Sequence, residues 1–570
     1  MGLVNCGTSP TESTSRRGAS AGTSSTAGAS SSTAGASSAG SSTGGTTSGS
    51  GGATAVSGSP LLPARIRRLT NAEYENSARA VVGNTDPVTN AFSPDTRQGG
   101  YTVNDAQRVD SVLVKQLSSA AATLAAEVRK KLTTVAPCAD PTTQGEACAK
   151  TFIQSFATRA FRRPLGADEA QKLLDLFHVG ADGATYADGI ELVATGVLQS
   201  AGFLYLTETG NAATGSSINL TPYETASAIS YLLTASPPDD ALMTAASSGQ
   251  LETPEQRSAV FSRLVKSQSG RDRVLRVIQE WLGTDRLVDT AKDTSVYSGF
   301  AGLKPAMLAE TSDFVGHLLD AKSGTVGELL SANWTATKDS GLTTLYQGTQ
   351  SASSGEITLP ARRGILNQGA FLSVYSHASE TGPVLRGVAL MRRVACLFLP
   401  SPAALMLTVP PLAPDPTKTT RERLDAHATD PMCANCHKSI DAFGFSFELY
   451  DGMGQGRTTD NGKPINSQTT LAVGKDFDGT YADSNQLASA LGTSADVREC
   501  FARNVFRASA GRSDADVAAA EAAFVDYWKT VPAPAADASH PSPASAAQGS
   551  ILESLRAFVS SPNFTVRRAQ

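Results

Sequence analysis

A chain of 570 residues with a formal charge of −5 has room for about three to five folding units at ~100–200 residues each. Hydrophobic residues make up 40% of it, enough to build cores, and the slightly acidic balance argues against a nucleic-acid binder. No run approaches the ~18 apolar residues that would span a bilayer.

Residues 1–59 are Ser/Gly/Ala/Thr repeats in which Glu12, Arg16 and Arg17 are the only charges. With no apolar face to bury, this stretch is expected to be a disordered tether. A cysteine ahead of a long polar tether resembles the mature start of a bacterial lipoprotein, which makes Cys6 a candidate for lipid attachment. Asn5 stands where a small residue is preferred, and no apolar signal core precedes it.

From Leu61 onward the pattern is helical. Thr70 and Glu73 form a capping box, Tyr74, Ala78, Val81 and Val82 repeat at helical spacing, and Gly83 can end the helix. A longer Ala-rich helix is expected over 104–135, closing a first helical domain, 60–135. The second, 136–212, begins with CADPTTQGEAC, read as a loop closed by a Cys138–Cys148 disulfide. A helix with Phe152, Phe156 and Ala160 on one face follows, broken at Arg162-Arg163-Pro164.

The central helical domain, 213–358, opens with Thr221-Pro222-Tyr223-Glu224, a second capping box with Pro in the first turn. Helices are expected over 255–268, 271–284 and 304–321, and irregular polar chain over 330–358. Residues 359–474 hold a loop with His377, a helix running through Cys396, a Pro-rich strap and a helix over 420–428. The last domain, 475–570, carries helices at 484–491, 495–509, 516–529 and 549–560. Strand-like alternation is scarce, so the fold class is mainly α, a multi-domain helical assembly.

The strongest chemical signal is Cys433-Ala434-Asn435-Cys436-His437, a C-x-x-C-H. Two thiols three positions apart can add across the two vinyl groups of a haem, and the next His can bind the iron, as in a cytochrome c-like segment. A thioredoxin-like redox pair would need a strand-then-helix context. A zinc site would need a fourth ligand, and no second C-x-x-C or H-x-x-x-H exists in the chain. The expectation is one covalent haem c on Cys433 and Cys436, with His437 as an axial iron ligand.

For the sixth ligand His377 ranks first, because its distance in sequence lets it reach the opposite haem face. Met406 and Met453 come next. His427, six residues before Cys433, suits a supporting role near the haem; His178, His317 and His540 are assigned none. Asp441, Glu448, Asp451 and Arg457 are expected to form a charged network fixing the loop after the motif, or Asp441 and Asp451 to share a calcium ion. With the haem thiols and Cys6 set aside, Cys396 and Cys500 are expected to pair across distance. An even disulfide set fits an oxidising compartment, the periplasm or cell surface; the alternative is buried free thiols in a cytosolic protein.

Six segments in order carry a family resemblance: RRLTNAEYENSARAVVG, FATRAFRRPLGADEA, LTPYETASAISYLLTASPPDDAL, RGILNQGAFLSVYSHASETGPVLRG, DPMCANCHKSIDAFGFSFELYDGMGQGR and VRECFARNVFRASAGR. Across 60–570 the chain resembles the secreted bacterial proteins of planctomycete-cytochrome type, built from five consecutive domains of unknown function. It departs from their pattern at Gly382 and at Gln455-Gly456. The resemblance implies haem on Cys433, Cys436 and His437 and leaves the reaction open. Three functions are therefore carried forward: electron transfer to a redox partner protein, a haem oxidoreductase with an open iron site, and an envelope scaffold with a structural haem.

Overall fold

The computed structural model describes residues 61–569 apart from 84–85, 212, 352–355, 402–403, 405–412, 414, 430 and 532–548, and without the side chains of residues 426, 427 and 432. Cys6, Met406 and His540 lie outside the described residues, as does the side chain of His427. The fold is mainly α-helical, and among the described residues no helix is long and apolar enough to cross a membrane.

Local signals set many helix ends. Thr70 caps Asn71–Val82 with a complete capping box to Glu73, and Gly83 closes it in the left-handed conformation. Thr221 and Glu224 do the same for Pro222–Thr234. Tyr74, Leu117, Leu124, Phe152, Phe156 and Val197 come from helices on both sides of residue 136, yet they share one core. A second and larger core gathers Ile229, Trp281, Phe314, Phe371, Phe443 and Phe501.

Several expectations are corrected. The 138–148 stretch is not a loop: Asp140 caps Pro141–Phe161, accepting the backbone N–H groups of Thr142 and Thr143, so Cys148 lies within the helix. The Cys138–Cys148 bridge is present nonetheless. The Ala-rich helix starts at Ser111, capped by Asp110, rather than at 104. The helix expected through Cys396 is Pro383–Ala389 with a π-helical turn, Leu390–Val394. The 330–358 stretch, expected to be irregular, holds the three-stranded sheet of Trp334–Ala336, Glu356–Thr358 and Thr349–Gln350.

Short antiparallel pairings tie distant parts of the chain together. Arg65–Arg68 pairs with Tyr205–Glu208, and the late strand Val566–Arg568 pairs with Ser217–Asn219. Glu208 sits between Arg65 and Arg567. Burial alone would raise its pKa, but Arg567 and Arg65 outweigh burial and hold the carboxyl well below the usual carboxylate range.

A buried acid lies beside the 334–358 sheet. Glu310 is fully enclosed, accepting hydrogen bonds from Thr335 at 2.7 Å and Tyr346 at 2.7 Å. Burial outweighs those bonds and pushes its pKa up to about 7. The native state therefore holds a proton that the unfolded chain releases nearer pH 4.5. Stability falls as pH rises through that window, by roughly 3 kcal/mol once the group is ionised in both states. Denaturant titrations at pH 5 and pH 8 are expected to show this loss, and Glu310→Gln to remove most of it. An equal loss in the variant would assign the pH dependence elsewhere.

Candidate functional site

The C-x-x-C-H occupies the first half of the helix Pro431–Phe445. A helix has 3.6 residues per turn, so Cys433, His437 and Asp441, four apart, fall on one face, with Cys436 one turn after Cys433. Both cysteines are half-buried free thiols. The other four described cysteines are paired, as Cys138–Cys148 and Cys396–Cys500. Two thiols in a disulfide-bearing chain thus stand unpaired three positions apart on one helix.

His437 is oriented from its own helix. Its Nδ1 lies 3.0 Å from Oδ1 of Asp441, which is buried. This hydrogen bond to Asp441 raises the imidazole pKa against partial burial. An Nδ1–H donated to a carboxylate fixes the tautomer in which Nε2 carries the lone pair, the arrangement common at metal-binding imidazoles. The second carboxylate oxygen, Oδ2 of Asp441, is buried without a hydrogen-bond partner.

His437 and Asp441 line a cleft of about 510 Å³, within the ~300–1,000 Å³ usual for cofactor and small-molecule sites. Arg421 and Asp425 wall it from the preceding helix, Thr420–His427, which Thr419 and Glu422 cap reciprocally. Asn466 and Gln468 form the opposite side, and their carbonyls accept from Arg421 at 2.8 Å each. The guanidinium of Arg421 also lies over the Phe445 ring, 4.7 Å from its centre. Thr469, at the same side, buries a hydroxyl oxygen without a hydrogen-bond partner.

What seats the motif helix is close backbone approach. A Cβ on Gly387 would collide with the carbonyl oxygen of Ile440, and one on Gly444 with that of Pro383. The helices Pro383–Ala389 and Pro431–Phe445 therefore cross through a glycine on each. The turn beyond is knitted by Arg386, a wholly buried side chain that donates to the carbonyls of Phe447 at 3.1 Å and Asp451 at 2.9 Å.

The other candidate residues fall in different places. Glu448 accepts from Arg457 at 2.7 Å and from Thr381 at 3.0 Å, and Arg457 reaches Asp460 at 3.1 Å. Asp451 uses its carboxylate to accept the N–H groups of Met453 and Gln455. Asp441 is turned to His437 rather than to this network. Among the described residues, no group of three or more His, Cys, Asp or Glu side chains is arranged to hold a metal ion. His377 is exposed, in a loop joined to the helix ahead of the motif by the Glu380–Arg423 ion pair at 2.7 Å. Met453 is buried in a separate cluster with Tyr297, Phe300 and Met307. Sequence reasoning missed Arg386, Gly387 and Arg421, because their partners lie on other elements and leave no local pattern.

Two unpaired thiols and an imidazole oriented through a carboxylate are the side chains a covalently attached haem requires; His437 lines the cleft, and the two thiols lie outside its lining. The class so far defined is a mainly helical chain with a C-x-x-C-H sequence on one late helix. Four family models match in chain order. They are PSD3, a protein of unknown function (DUF1587), over 67–130; PSD5, a protein of unknown function (DUF1595), over 148–208; PSD4, a protein of unknown function (DUF1592), over 220–347; and PSCyt3, a protein of unknown function (DUF1588), over 362–460. The chain carries these planctomycete cytochrome-type domains, and the motif helix falls inside the PSCyt3 match. No curated protein and no solved structure matches it.

Proposed function

We propose that this chain is an exported c-type haem protein that transfers electrons. Cys433 and Cys436 would hold one haem through thioether bonds, and His437 would bind its iron. The observation that carries the reading is the pair of unpaired thiols beside an imidazole whose Nδ1 is committed to buried Asp441. The haem supplies one-electron exchange at iron when bound. The chain's own residues hold and orient it: the thiols fix its edge, Asp441 sets the tautomer and basicity of His437, and Arg421 and Lys438 present cations at the cleft. The two disulfides support an oxidising compartment, periplasm or cell surface, with Cys6 as the proposed lipid anchor and a redox protein as partner.

The test is a pyridine haemochrome spectrum of the full chain produced with c-type haem maturation, beside Cys433→Ala/Cys436→Ala. A covalent-haem spectrum is expected in the first and none in the second. Absence of covalent haem from the unaltered chain would sink the reading. The cleft beside His437 favours a second reading, an oxidoreductase whose iron keeps an accessible position. Spectral change with carbon monoxide or cyanide would select it over a six-coordinate electron carrier.

A further inference from the structure

A second cleft, of about 620 Å³, lies among elements that do not contain the haem motif. It is bounded by one side of the helix Asn71–Val82, by the first turns of Gln268–Leu282 and by the end of Pro222–Thr234. Arg273 lines it. This side chain is 7% exposed, and its one hydrogen bond runs from Nε to the carbonyl of Leu232 at 3.1 Å. Neither terminal amino group of the guanidinium has a hydrogen-bond partner in the protein; burial draws its pKa down, while Glu280 and Glu73 favour the charge. Buried charges in folded proteins are normally paired.

The carboxylates around the cleft are already engaged. Glu73 holds Arg67 through both oxygens at 2.7 Å. Asp95 takes Arg68 at 2.9 Å and the Asn71 N–H at 2.8 Å. Asp272 accepts from Gln268 at 2.8 Å. Two further cations line the cleft: Arg276, paired with Glu280 at 3.0 Å, and Arg79, which lies 3.9 Å from Glu75. The first turn of Gln268–Leu282 adds the positive end of its helix dipole beside Arg273. The remaining wall is rich in hydroxyl and amide groups, among them Thr70, Asn76, Thr234, Ser236 and Ser269, whose oxygens keep acceptor capacity.

We propose that this cleft binds a carboxylated polyhydroxy ligand of monosaccharide size, a sugar acid, with the carboxylate across the two terminal amino groups of Arg273 and the hydroxyls against the Thr/Ser/Asn wall. A planar fork matches a carboxylate with two parallel hydrogen bonds, and the wall suits a polyol better than an apolar acid. The site is independent of the haem reading, so either can fail alone.

The experiment is calorimetric titration of the full chain with sodium glucuronate, with glucose, sodium acetate and inorganic phosphate as separate probes. Glucuronate is expected to bind at least tenfold tighter than glucose or acetate. Arg273→Gln is expected to weaken it by about tenfold to a hundredfold, while circular dichroism and the covalent haem stay unchanged. Since the substitution breaks only the hydrogen bond from Nε to the Leu232 carbonyl, the variant is expected to fold. Ser269→Tyr, which fills the cleft and leaves Arg273 in place, is expected to weaken binding comparably. Undetectable glucuronate binding, binding that survives both substitutions, or tighter binding of phosphate would overturn the proposal.

Discussion

Removing the Cys396–Cys500 disulfide by Cys396→Ala/Cys500→Ala is expected to destabilise the protein by about 4–5 kcal/mol. The bridge closes a loop of 104 residues, which contains the entire motif helix and the turn after it. In the chain-entropy account, cross-linking such a loop removes far more freedom from the unfolded chain than a short one does. Cys138–Cys148 supplies the control, because its separation is only 10. Its removal is expected to cost about 2.5–3 kcal/mol. Denaturant unfolding of the two double variants against the parent measures both. If the two losses came out equal, loop entropy would not explain what the long bridge contributes.

The pairing of Cys396 with Cys500 was legible by elimination, since the haem motif claims two thiols and CADPTTQGEAC brackets two more. The shape of that short segment was not. Pro and Gly suggested a loop, yet Asp140-Pro141 is also a helix start, with an N-cap side chain followed by a residue pre-set for the first turn. The capping boxes at Thr70 and Thr221 read correctly because every partner lies within three residues. The strands of 334–358 and the pairing of Val566–Arg568 with Ser217–Asn219 did not, because strands of two or three residues carry too little alternation to register.

The candidate site divides along the same line. Attachment chemistry is local in sequence, so Cys433, Cys436 and His437 stood out, and Asp441 follows His437 at the spacing that lets side chains meet on a helix. The cleft is not local. Its walls come from Thr420–His427 and from the stretch around Asn466–Thr470, joined by Arg421 hydrogen bonds that no periodicity announces. Gly387 and Gly444 meet across two helices far apart in sequence. Each glycine is explained only by the other helix's backbone.

The largest single-residue loss is expected at Arg386. Its guanidinium is wholly buried and donates to the carbonyls of Leu372, Phe447, Tyr450 and Asp451, while Glu448 stands 3.7 Å away. Burial draws the arginine pKa down to about 10, although Glu448 opposes the shift. Burial likewise lifts the Glu448 carboxyl, against the pull of Arg386 and Arg457. Arg386→Met preserves much of the volume but strips the carbonyls and leaves Glu448 with half its positive surroundings. Breaking such a buried pair from one side costs about 3–5 kcal/mol. Arg386→Lys is expected to recover little, because one ammonium cannot reproduce a planar fork reaching four carbonyls. The companion variant Arg386→Met/Glu448→Gln separates the causes through a double-mutant cycle. If the orphaned charge dominates, the double variant is more stable than Arg386→Met alone. If the two are equally unstable, the loss lies in the carbonyls of the turn, and Arg386 acts as the post that holds the chain after the motif helix rather than as a counter-ion.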